Sequence, residues 1–84
     1  MDGDKIFKVL QSYNRRHNIP DLHSFRIETR DGSAFVECRG DEIFIENYRV
    51  DENGNEVFIQ WAGTVIAAAN RLEMLGADLL TIED

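Results

Sequence analysis

Between residues 31 and 54 the chain carries three glycine-bearing turn signals, Asp31-Gly32, Gly40-Asp41 and Asn53-Gly54, flanked by apolar residues in alternation. This spacing constrains the fold more than any other feature, because a tight loop joins antiparallel strands and sets their register. Read as a two-residue loop, Asp31-Gly32 places Thr29 opposite Ala34, Ile27 opposite Val36 and Phe25 opposite Cys38. The other face pairs Arg26 with Glu37, a favourable cross-strand charge pair, and Glu28 with Phe35. Gly40-Asp41 has glycine first, as a type II′ turn requires. It extends the first face to Ile43 and Ile45 through the pairs Cys38–Ile43 and Val36–Ile45.

The last hairpin allows two registers. A two-residue Asn53-Gly54 loop sets Val50 opposite Val57. A three-residue Glu52-Asn53-Gly54 loop, with glycine at the bulge, sets Val50 opposite Glu56. A slip of one residue flips a whole strand. The three-residue loop is preferred because it puts Val57, Ile59 and Trp61 on the face of Ile43 and Ile45, one apolar face across four strands.

Helical periodicity flanks this stretch. Ile6, Val9, Leu10 and Tyr13 form an apolar stripe over residues 4–16, with Asp2 or Asp4 to cap the start and Asn18-Ile19-Pro20 to end it. Val65, Ala68, Ala69, Leu72 and Leu75 form a second stripe over 64–75, between a Thr64 cap and a Gly76 stop. The tail, Asp78 to Ile82, is too apolar for a free end and is open between a fifth strand and an arm onto a partner. The predicted fold is a single α+β domain spanning 1–84. It is a two-layer, four-stranded antiparallel meander with two helices on one face, in the order α-β-β-β-β-α with room for a short C-terminal strand. The predicted core is Ile6, Val9, Leu10, Phe25, Ile27, Val36, Cys38, Ile43, Ile45, Val57, Ile59, Trp61, Val65, Leu72 and Leu75.

With both helices on one face, nothing remains to cover the other. That face carries Phe35, Phe44, Tyr48, Val50 and Phe58, interleaved with Arg26, Glu28, Glu37, Glu46 and Gln60. An apolar patch rimmed by charge marks an interaction site. Phe35, Phe44, Glu46, Tyr48, Val50, Phe58 and Gln60 are therefore the candidate partner-binding residues. Eighty-four residues bury a small core, so association with a second copy would stabilise the chain. The net charge of −7 is carried by residues 40–84, which hold two Lys/Arg against ten Asp/Glu. Such a half suits a basic partner, including an inhibitor or immunity-type role against a nucleic-acid-binding protein. It argues against a nucleic acid as the ligand, because glutamates accompany the aromatic residues.

Signals for chemistry are sparse. Cys38 falls on the buried face, where cysteine is an inert hydrophobe. His17 and His23 do not have the spacing of a metal pair on one helix. Asp51 to Glu56 has its glycine too early for a calcium loop. There is no phosphate loop, nucleophile elbow or CxxC. The expectation is a non-catalytic module without cofactor or metal. The alternatives are an enzyme or small-ligand binder, with a pocket near Trp61, Tyr13 and Cys38, and a nucleic-acid-binding domain. One cysteine, no membrane-length apolar run and an acidic start lead to an expected cytoplasmic setting without membrane contact.

Overall fold

A computed structural model describes residues 2–15 and 23–83. The expected helix stop at Asn18-Ile19-Pro20, with Arg16 and His17, lies outside the described residues. The elements run α1 (Asp2–Arg15), β1 (His23–Glu28), β2 (Gly32–Arg39), β3 (Glu42–Val50), β4 (Glu56–Gly63), α2 (Val65–Met74) and β5 (Asp78–Glu83). The five strands form one antiparallel sheet in the order β4-β3-β2-β1-β5, with both helices packed on one face. The tail is thus a fifth strand. It lies beside β1, so α2 carries the chain from one sheet edge to the other.

Two of the three loops have the expected register. Cys38 faces Ile43 and Val36 faces Ile45, and Gly40 takes φ +58°, as the first position of a type II′ turn demands. At the last hairpin Val50 faces Glu56, which is the three-residue loop. Gly54 takes φ +81°. The Asp51 carboxylate accepts the amides of Asn53 at 2.9 Å and Asn55 at 2.8 Å. These bonds hold the loop in the longer form.

The first hairpin differs. Ile27 pairs with Ala34, Phe25 with Val36 and His23 with Cys38. The expected Thr29–Ala34, Ile27–Val36 and Phe25–Cys38 pairs are therefore shifted by two residues, and Arg26 faces Phe35 instead of Glu37. Gly32 is not among the positive-φ glycines, so Asp31-Gly32 makes no mirror-image turn. The Thr29 amide donates to the Gly32 carbonyl at 2.9 Å to close a longer loop, and two further bonds anchor it from outside. Arg30 donates its amide to the Leu75 carbonyl at 2.9 Å, and the Val50 amide donates to Asp31 at 3.2 Å. Because the shift is even, every side chain keeps its face.

The core lies between sheet and helices. Ile6, Leu10, Tyr13, Phe25, Ile27, Ala34, Val36, Cys38, Ile43, Ile45, Ala68, Ala69 and Leu72 are buried. The tyrosine ring of α1 stacks on Phe25 at 4.7 Å. The core is narrower than expected. Val57, Ile59 and Trp61 face the helices but are only half-buried, because β4 is an edge strand. Val9, Val65 and Leu75 are also half-buried at the helix margins.

The second helix begins with Thr64, whose hydroxyl accepts the Ala67 amide at 3.2 Å. It ends in a pair of reversed bonds, Gly76 to Glu73 and Ala77 to Leu72, both 3.0 Å. Gly76 at φ +71° makes that ending accessible.

Candidate interaction face

The face away from the helices is built from the alternate residues of β1 to β4, and the pairing fixes their arrangement. Across the strands, one row reads Ser24, Glu37, Phe44, Ala62. The next reads Arg26, Phe35, Glu46, Gln60, and the third Glu28, Ser33, Tyr48, Phe58. Val50 and Glu56 follow. All seven candidate residues therefore stand on one surface, and Tyr48 and Phe58 are direct cross-strand neighbours. Phe35 lies one row from Tyr48 on the adjacent strand, within reach of a diagonal contact.

The aromatic residues are open to solvent to different degrees. Phe58 is 58% exposed, Val50 44%, Phe35 39% and Tyr48 37%. Phe44 is half-buried, with the Arg39 guanidinium 4.7 Å above its ring. Arg39 also pairs with Glu37 at 3.2 Å. A shallow recess of about 390 Å³ lies beside them, bordered by Glu37, Arg39, Phe44, Glu46, Gln60 and Ala62. It owes its depth to Ala62, the small residue opposite Phe44. The face thus has two adjoining parts, the recess over Phe44 and a raised apolar ridge of Phe35, Tyr48, Phe58 and Val50.

Charge surrounds the ridge. On β1 to β4 this face holds two arginines, Arg26 and Arg39, against five glutamates, Glu28, Glu37, Glu42, Glu46 and Glu56, a net of −3. Arg26 is held by Glu28 at 3.2 Å. The Tyr48 hydroxyl donates to Glu56, which raises its pKa above the usual 10.0.

The other residues singled out by chemistry are placed elsewhere. Cys38 is buried, and burial pushes its thiol up to about 11, which suppresses the nucleophilic thiolate. Tyr13 is buried against Phe25 and His23. Trp61 lies near Arg71, its ring over Gly63. Among the described residues, no group of three or more His, Cys, Asp and Glu gathers as a metal site would need. No helix among them is long and apolar enough to cross a membrane.

Sequence reading missed Asn47, which is 1% exposed within β3. Its amide donates to the Ser33 carbonyl at 3.1 Å. The alternation did signal it, since Asn47 stands at an inward position of an otherwise apolar strand. No family model matches the chain, and neither curated proteins nor solved structures provide a relative.

Proposed function

We propose that the chain is a small, acidic, non-catalytic protein-interaction module. Its recognition surface is the outer face of the sheet. The observation that carries this reading is the continuous ridge of Phe35, Tyr48, Val50 and Phe58, exposed on rigid strands and ringed by glutamates. Aromatic residues at the centre of a charged rim are the composition of interface hot spots. Strands hold them in place, so little ordering cost falls on binding.

Charge argues for the occupant. A face of net −3 is complementary to a basic protein surface, with the ridge entering an apolar centre on the partner. An inhibitor or immunity-type role against a nucleic-acid-binding protein is one form of this reading, acting in a cytoplasmic setting. The second reading is a homodimer through the same face. It is favoured by the apolar ridge, which buries itself against its own copy across a two-fold axis and leaves the glutamates at the rim.

The test is capture from host extract by the native chain and by a Phe35→Glu, Phe58→Glu variant, with solution mass measured for both. The expected result is a basic protein retained by the native chain, lost from the variant and released as salt rises. Identical retention by both proteins would overturn the assignment of the face. A native dimer that the variant dissociates would replace the basic partner with a second copy.

A further inference from the structure

The two edges of the sheet are finished differently. β5 has an irregular register against β1, and the Glu28 amide of β1 is taken by the Thr81 hydroxyl. β4 has no such device. All of its residues, Glu56 to Gly63, pair with β3 in unbroken register from Val50–Glu56 to Ile43–Gly63. It contains no proline, lysine or bulge, and no described strand lies on its outer side. Sheet edges are usually protected by one of these devices, because a regular open edge pairs with another strand.

The loop before β4 fixes which backbone groups are open. The Asp51 amide donates to the Asn55 carbonyl at 2.9 Å, so Asp51 and Asn55 are a hydrogen-bonded pair. In an antiparallel ladder such pairs alternate with pairs whose amides and carbonyls point away from each other. Counting on from Asn55, Val57, Ile59, Trp61 and Gly63 bond to β3. Glu56, Phe58, Gln60 and Ala62 turn their amides and carbonyls to the open side.

The side chains of β4 suit a copy of the same strand. In a chain of net charge −7, this strand has one charged residue, Glu56 at its first position. A two-fold axis perpendicular to the sheet at Ile59 sets Ile59 against its own copy, Val57 against Trp61, Phe58 against Gln60 and Glu56 against Ala62. Every open amide and carbonyl of the strand then finds a partner. The neighbouring registers, centred on Phe58 or Gln60, leave Ala62 or Glu56 unpaired. On the helix side the residues left half-buried at this edge, Val57, Ile59 and Trp61, cover one another across the axis, aromatic against β-branched. The two Glu56 carboxylates stand at opposite ends of the joint, so they do not repel each other within it.

We infer that two copies of this chain associate by antiparallel pairing of β4 with β4, joining their five-stranded sheets into one continuous sheet. The joint uses the strand edge. It leaves the outer face open to either occupant proposed above and does not rest on that reading.

The test compares solution mass and amide hydrogen exchange for the native chain, Gln60→Pro and Phe35→Glu. The Gln60 amide faces the open side, so proline there spares the β3 ladder and blocks the joint. The native mass should be twice that of one chain. Phe35→Glu should keep it, and Gln60→Pro should halve it while staying folded. The Phe58 and Ala62 amides should exchange slowly in the native dimer and rapidly in Gln60→Pro. If Gln60→Pro loses the fold, exchange in the native chain decides, because an unpaired edge leaves these two amides in solvent. A native chain that is monomeric at roughly 1 mM would overturn the inference. So would fast exchange of both amides in a native dimer, or a folded Gln60→Pro that stays dimeric. A dimer that Phe35→Glu dissociates would overturn it too, and would move the interface to the outer face.

Discussion

At the scale of single residues, the glycines do two different jobs. Gly40, Gly54 and Gly76 supply positive φ. Gly32 does not; an added Cβ there would run into the Tyr48 carbonyl and lie 2.8 Å from the Arg49 Cα. Those are backbone atoms of a paired strand and cannot move aside. Gly32→Ala should therefore destabilise the fold by about 3 kcal/mol or more, which chemical denaturation would measure. Cys38 offers a second check. With its thiol pushed up to about 11 and its side chain buried, it should react with a thiol reagent at pH 8 only after unfolding. Prompt labelling of the folded chain would contradict the buried-face assignment.

At the scale of elements, the β3–β4 hairpin turns on one carboxylate. Asp51 accepts two loop amides, and that bonding, chiefly from Asn55, lowers its pKa below the usual 3.8. A lowered carboxyl pKa means that the stabilisation is complete above the unfolded-state value. It is lost as pH falls through the lower folded-state value. The Asn53 and Asn55 amide signals should therefore titrate together with a midpoint below 3.8, and Asp51→Asn should abolish that titration. The last strand has its own device. Leu80 is 95% exposed where β5 departs from regular pairing, and Thr81 Oγ1 accepts the Glu28 amide at 2.8 Å in place of a ladder carbonyl. An irregular edge of this kind discourages pairing with another chain.

At the scale of the whole molecule, salt separates the two readings of the outer face. A face of net −3 attracts a basic partner, and screening weakens that attraction. The same charge opposes a second copy, so screening strengthens self-association. Binding that falls as ionic strength rises supports the basic partner, while a solution mass that rises with salt supports the homodimer. Phe58→Glu adds to the charge and removes part of the ridge. It should abolish the apolar contact while changing stability by about 1 kcal/mol or less, because Phe58 is largely exposed. A Phe58→Glu chain that unfolds would place this residue in a core.

The alternation of apolar residues, read by itself, assigned each of Ile27, Val36, Cys38, Ile43 and Ile45 to the inner face and Phe35, Tyr48 and Phe58 to the outer one. The reason is that strand faces have a period of two, so even the two-residue shift at Asp31-Gly32 left them unchanged. The loop at Asn53-Gly54 was also legible, because only its longer form keeps Ile59 and Trp61 beside Ile45. Tertiary structure decided what depends on position within the sheet. It put β4 at an edge, so Val57, Ile59 and Trp61 are half-buried, and it placed Asp78–Glu83 beside β1. It also brought Arg30 and Arg71 to one recess with Asn47 and Arg49 of β3. Local periodicity carries the direction of each side chain, but which strands lie at an edge and which distant charges meet depends on how α2 crosses the sheet.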